Sequence, residues 1–205
     1  MRVFILCTGR TGSTTIIKAC KHIKNYTAAH ESRSSKLGKE RLNYPENHIE
    51  ADNRLSWFLG YLDQIYGDNA FYVHLLRDKT KTIASLNRRW NNPTSIVKAF
   101  ANGVLKIPQP LLNKESKIKV CEDYYDNVNK NIEFFLKSKT KKQIIYLESF
   151  ETDFIDFCKN INADIDIEKA LNELNNEYNK SKKYDFNDFL YGIKINLIRI
   201  KNLFN

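Results

Sequence analysis

The run Val3-Phe4-Ile5-Leu6-Cys7 constrains this chain more than any other segment. It is an unbroken apolar stretch with β-branched and aromatic members, so it reads as a strand buried on both faces, the habit of parallel sheets. A polar loop with two glycines follows, Thr8-Gly9-Arg10-Thr11-Gly12-Ser13-Thr14. From Thr15 to Ile23 the apolar residues Ile16, Ile17, Cys20 and Ile23 recur at helical spacing. The order is therefore strand, loop, helix. A strand buried on both faces needs layers above and below it, which sets the class of fold.

The rest of the chain repeats that alternation. Tyr26–His30 is a short second strand, and Glu31–Asn47 is polar and irregular. Asp52 is placed to cap a helix running to Tyr66, with Leu55, Phe58, Leu59, Leu62 and Ile65 on one face and Gly67 ending it. Ala70–Leu76 is a strongly apolar strand, followed by a helical pattern over Lys79–Trp90. Ser116–Leu136 predicts a long polar helix, and Gln143–Leu147 a further strand. Helices are expected from Glu151 and from Asp166. Phe186, Phe189, Leu190, Ile193, Leu197, Ile200 and Phe204 form an amphipathic stripe near the C-terminus, expected to dock on its own domain. Strands alternating with helices predict an α/β domain of three layers, with a mainly parallel central sheet flanked by helices.

Composition bounds the function. At 205 residues the chain has room for one domain with a sizeable core, whose final part, 150–205, is helical. The net charge of +9 suits anionic partners. Much of that charge is lysine in Lys/Asn-rich helical stretches, the pattern of a solvated face, and no nucleic-acid partner is read from it. The four cysteines, Cys7, Cys20, Cys121 and Cys158, show no metal-ligand spacing and read as buried free thiols in a reducing compartment. The apolar N-terminal run is too short for a signal-peptide core, and no segment has the length of a membrane span. A cytoplasmic protein is expected.

The loop carries the chemistry. A loop that opens a helix directly after a buried strand presents backbone N–H groups and the positive end of the helix dipole to an anion. Gly9 and Gly12 admit close approach, Ser13, Thr14 and Thr15 add hydroxyls, and Arg10 adds a planar charged fork. The nucleoside-triphosphate loop places a lysine directly after its second glycine. Here that residue is Ser13 and the glycines are closer together. A second element, Leu76-Arg77-Asp78, ends the Ala70–Leu76 strand and so lies at the carboxyl edge of the sheet, where open α/β folds bind ligands. Ser85 falls two helical turns further on.

Together these segments resemble a known family. Gly9-Arg10-Thr11-Gly12-Ser13-Thr14 resembles the P-R-S-G-T-T type loop of sulfotransferases that use 3′-phosphoadenosine 5′-phosphosulfate (PAPS). Arg77 with Ser85 resembles that family's 3′-phosphate grip. The resemblance covers residues 1–90, closest to glycan-type and bacterial members, and it implies a P-loop-like sulfotransferase fold, that of the P-loop-containing nucleotide hydrolases. It implies that Gly9, Arg10, Thr11, Gly12, Ser13 and Thr14 cradle the phosphosulfate, that Arg10 also stabilises the leaving phosphate, and that Arg77 and Ser85 hold the 3′-phosphate. Gly9 stands where many members have proline.

Sulfuryl transfer to a hydroxyl also needs a general base. Glu31 resembles the catalytic glutamate of glycan-modifying members. His30, His48, Glu50 and Asp52 are the alternatives, while His74, inside an apolar strand, reads as a core histidine. Glu50-Ala51-Asp52-Asn53-Arg54 resembles a segment lining the acceptor site in glycan members, which implies that Asp52, Asn53 and Arg54 bind the acceptor. Arg33, Lys36, Lys39 and Arg41 lie in a polar loop that reads as solvated charge or as cover for an acidic acceptor. The expected acceptor is a small molecule or a glycan, with no metal, and a homo-oligomer stays open. Two other readings stand beside this one: a nucleotide or small-molecule kinase using ATP and Mg²⁺, and a non-catalytic nucleotide-binding protein of the same fold.

Overall fold

A computed structural model describes residues 1–108 and 111–174. The amphipathic stripe beyond residue 174 lies outside the described residues. The described residues cluster into two compact units, one formed by Met1–Thr82 with 125–174, the other by Ile83–Tyr124.

The first unit is built on a five-stranded sheet whose paired strands all run parallel. Its strands are β1 (Arg2–Leu6), β2 (Thr27–His30), β3 (His48–Ala51), β4 (Ala70–Leu76) and β5 (Lys142–Tyr146), in the order β2-β3-β1-β4-β5. This is the three-layer α/β architecture that the apolar runs predict. β1 is central, and Val3, Phe4, Ile5 and Leu6 are fully buried.

The two faces of the sheet differ in chemistry. Alternation puts Val3, Ile5, Ile49, Ala51, Phe71, Val73 and Leu75 on one face. There they pack against α1 (Ser13–Cys20), α6 (Phe150–Asn160) and α7 (Ile167–Leu174) through Ile16, Phe154, Phe157 and Ala170. At roughly 1.5–3 kcal/mol for each large side chain buried, this face anchors the loop helix α1. The opposite face is aromatic and polar. Phe4 meets Tyr44, Tyr66 and Tyr72 with ring centroids 5.4, 5.0 and 5.9 Å away. The Tyr66 hydroxyl donates to the Leu42 carbonyl, and Tyr72 packs edge-on against Phe135 of α5 (Lys114–Leu136) at 5.0 Å.

β3 lies where the sequence shows only a polar stretch after an irregular loop. Its residues, His48-Ile49-Glu50-Ala51, are all buried, and two of them are ionisable. Asp52 does cap a helix, but a short 3-10 turn over Asn53–Trp57; the α-helix α2 covers Leu59–Tyr66. The break shifts the buried face. Leu55 and Leu62 are buried as expected, whereas Ile65 is 52% exposed and Tyr66 takes its place.

The second unit holds α4 (Ile96–Gly103), capped by Ser95, whose hydroxyl accepts from the Lys98 amide. Val97, Phe100 and Ala101 are buried there, with Phe100 edge-on to Tyr124 at 5.6 Å. The helix α3 (Lys79–Arg88) matches the predicted pattern. All four cysteines are free and buried, and no helix of the described residues is long and apolar enough to cross a membrane.

His74 is the core histidine that its strand context predicts. It is 1% exposed and bonded through Nε2 to Asn129 Oδ1 at 2.9 Å. Burial holds its ionisation below the ordinary histidine value, against the opposing effects of the Asn129 hydrogen bond and the Glu133 charge. The folded chain therefore withholds a proton that the unfolded chain accepts near pH ~6.5. The stability involved is present above that pH and is lost as pH falls below it. Denaturant unfolding between pH 5 and 8 is expected to show a steeper acid loss in the parent than in His74→Gln.

Candidate functional site

In the strand order β2-β3-β1-β4-β5, the chain leaves β1 toward β2 on one side and leaves β4 toward β5 on the other. The carboxyl ends of β1 and β4 thus flank a topological switch point, where open α/β sheets form a crevice. The glycine loop leaves β1 there, and Arg77 follows β4.

The loop is held in a left-handed conformation. Gly9, Arg10 and Gly12 have φ of 78°, 64° and 94°. The arginine is the unusual member, because a side chain rarely occupies that region. Gly12 is the N-cap of α1, its carbonyl accepting from the Ile16 amide at 3.0 Å, and the first turn of α1 contains no acidic residue. A Cβ on Gly12 would stand 2.7 Å from Leu147 Cδ1, and one on Gly9 would stand 3.3 Å from Asn53 Nδ2. Both glycines are therefore favoured by φ, and a side chain at either would also make its neighbour shift.

Two polar atoms at this loop are buried without a conventional partner among the described residues, Thr11 Oγ1 and Arg77 Nε. Thr11 sits beside the Cys7 thiol. Burial pushes that thiol up to about 11, against the opposing effects of Thr11 and the Gly9 amide. Arg77 Nη1 donates to the Arg10 carbonyl at 3.1 Å, so the end of β4 braces the loop after β1. The Tyr125 hydroxyl in turn donates to the Arg77 carbonyl at 3.3 Å. Ser85 lies on α3 in the second unit and is 2% exposed.

On the other side of the loop, the end of β2 supplies two candidates for proton transfer. His30 Nε2 is 3.0 Å from Ser13 Oγ, an imidazole in contact with the first residue of α1. Glu31 follows with a φ of 51°, its amide bonded to the Ala51 carbonyl at 3.0 Å. Its carboxylate forms an ion pair with Arg54 Nη1 at 3.0 Å, and both side chains keep about a third of their surface in solvent, 34% and 29%. Arg54 also reaches Asn53 Oδ1 at 3.3 Å, and Asn53 is the residue against Gly9.

The remaining sequence candidates hold these groups from beneath. Glu50 is fully buried and accepts from the Ser32 amide at 2.8 Å, the Ser32 hydroxyl at 2.6 Å and His48 Nε2 at 3.1 Å. It fixes the turn that carries Glu31. Asp52 is also fully buried, with one oxygen taken by Arg41 at 2.6 Å and the other by the Arg54 amide at 2.8 Å. Among the described residues, no group of His, Cys, Asp and Glu is arranged to hold a metal ion.

Two arginines of the basic loop differ from the reading as solvated charge, while Lys36 and Lys39 are exposed. Arg41 is 4% exposed, and Arg33 packs over the Tyr44 ring at 5.6 Å while pairing with Glu40. Nothing in the local pattern marks Arg41, which ends a 3-10 turn over Gly38–Arg41. Its partner Asp52 lies eleven residues on, and only the formation of β3 brings them together.

No protein-family model matches this chain, and no curated protein matches it.

Gly12→Ala adds strain at positive φ to a steric conflict with Leu147. It is expected to destabilise the fold by about 1–3 kcal/mol in denaturant unfolding. Leu147→Ala in the same chain is expected to relieve the steric share and leave the φ share. A double variant as stable as Leu147→Ala alone would show that Gly12 carries no conformational demand.

Proposed function

We propose that this chain is a sulfotransferase that takes a sulfuryl group from 3′-phosphoadenosine 5′-phosphosulfate and passes it to an acceptor hydroxyl, a small molecule or a glycan. The observation that carries the reading is the bond from Arg77 to the Arg10 carbonyl. It joins the two segments whose resemblance to that family is strongest, at the edge of the sheet suited to an anionic nucleotide.

The residues present fit such a donor. A helix N-terminus without acids, a loop of hydroxyls and two arginines form a donor-rich surface with no carboxylate in the first turn of α1. The buried Thr11 hydroxyl and Arg77 Nε–H, without conventional partners, are groups for which an anion of several oxygens offers acceptors. When bound, the phosphosulfate supplies an activated sulfuryl group on a phosphate leaving group.

In this reading the chain contributes position and charge. Arg10 and the N–H groups opening α1 face the oxygen on which negative charge grows. Ser13 orients one oxygen of the donor, with its own hydroxyl fixed by His30. Glu31 accepts the proton of the acceptor hydroxyl as the new S–O bond forms, and Arg54 holds the carboxylate in place for that transfer. Asn53 and Arg54 line the acceptor side. Arg77 meets the 3′-phosphate.

Thermal unfolding with 3′,5′-adenosine bisphosphate, and separately with ATP and Mg²⁺, tests the donor. At a ligand concentration near 100 times its dissociation constant, the bisphosphate is expected to stabilise the fold by about 2.7 kcal/mol. Stabilisation by ATP–Mg²⁺ in preference to the bisphosphate would overturn the reading in favour of a kinase. In a turnover assay, Glu31→Gln is expected to lower kcat by roughly 10²–10⁴-fold while the bisphosphate still binds. Unchanged turnover would remove Glu31 from the role of base.

A further inference from the structure

We infer that Arg41 is a positioning residue for the acceptor side of the site, acting through Asp52 on Arg54 and so on Glu31. The name of that side rests on the sulfotransferase reading; the coupling between the residues does not.

The chain of contacts is continuous. Arg41 Nη2 meets Asp52 Oδ2 at 2.6 Å, Asp52 Oδ1 accepts from the Arg54 amide at 2.8 Å, and Arg54 Nη1 meets Glu31 Oε2 at 3.0 Å. Arg41 is itself held on three sides. Besides Asp52, its Nη1 donates to the Tyr44 hydroxyl at 3.0 Å, and its guanidinium lies 4.9 Å above the Phe58 ring. Those contacts use the planar fork of arginine, and a lysine ammonium cannot make all of them at once.

Burial sets the direction of control. Asp52 is 0% exposed, and Arg41 is its ion-pair partner. A buried carboxylate deprived of its cation either takes up a proton or turns toward water. Both outcomes alter the acceptor of the Arg54 amide, at the start of the 3-10 turn Asn53–Trp57. The Arg54 side chain then loses its fixed origin, and with it the geometry of the Glu31 pair. Because Asn53 in the same turn packs against Gly9, the disturbance also reaches the phosphate loop. The Glu31–Arg54 pair by itself is partly solvated, so it depends on this support more than a buried pair would.

A double-mutant cycle on the full chain tests the coupling. Glu31→Gln, Arg54→Gln and the double variant are compared by thermal unfolding in the parent and in Arg41→Met. The expected result in the parent is a non-additive shift of about 1–3 °C for the pair. That non-additivity is expected to vanish in Arg41→Met. A merely structural Arg41 would lower every unfolding temperature together and leave the non-additive part intact, so parent-like coupling in Arg41→Met overturns the inference. Should that variant fail to fold, Arg41→Gln, which removes the charge and keeps a polar head, replaces it under the same criterion. Bisphosphate stabilisation of the parent, measured in parallel, reports on the donor reading. Its absence counts against the sulfotransferase and leaves the coupling result standing.

Discussion

β1 sets the terms for everything around it. A short strand with no exposed residue from Val3 to Leu6 must find partners for its backbone on both edges and apolar cover on both faces. β3 and β4 satisfy the edges in register, with Val3 opposite Ile49 on one side and Phe71 on the other. Such a strand cannot continue into solvent as a strand. It ends in residues that turn its backbone outward, and the left-handed sequence at Gly9, Arg10 and Gly12 does this. A glycine-containing loop with positive φ at the centre of the sheet is thus a consequence of how the core is closed.

Charge follows a similar logic. A net charge of +9 suggests a surface tuned for anions, yet several arginines and one lysine near the sheet are already paired with carboxylates. Arg2 pairs with Glu46, Arg33 with Glu40, Arg41 with Asp52, Arg54 with Glu31, and the largely buried Lys139 with Asp63. Exposed pairs of this kind contribute little to stability. The Arg41–Asp52 pair is different, because removing either member strands a charge in the interior, at a cost of about 3–5 kcal/mol. Its value is geometric, since it fixes where the segment after β3 begins.

The legible parts of the chain were those in which one strong local signal decides the outcome. The apolar runs at Val3–Cys7 and Ala70–Leu76, the glycine loop and the long pattern ending at Leu136 all appear as strands, loop and helix near the expected bounds. β3 was not legible, because His48 and Glu50 break the apolar signal of a buried strand. Their polarity is satisfied by Thr27 and Ser32, partners some twenty residues away that no local pattern reveals. Arg41 was hidden for the same reason, its burial depending on β3. Ile65 misled because a 3-10 turn consumed the start of the expected helix and rotated the register of what followed.

The period-two alternation of β2 separates the two proton-handling candidates. Its register pairs Ala28 with Ile49 and His30 with Ala51, so His30 belongs to the apolar face and reaches Ser13 at the start of α1. Had the strand continued regularly, Glu31 would simply occupy the polar face with Ala29. Instead its positive φ turns the chain at that residue, and the Ser32 amide and hydroxyl are captured by Glu50 from the polar face. The Glu31 carboxylate pairs with Arg54 at 3.0 Å. Adjacent residues in sequence consequently meet different partners: His30 the Ser13 hydroxyl at the start of α1, and Glu31 the Arg54 guanidinium after β3. The positive-φ turn at Glu31 ends the alternation of β2, and buried Glu50 holds the residue that follows it.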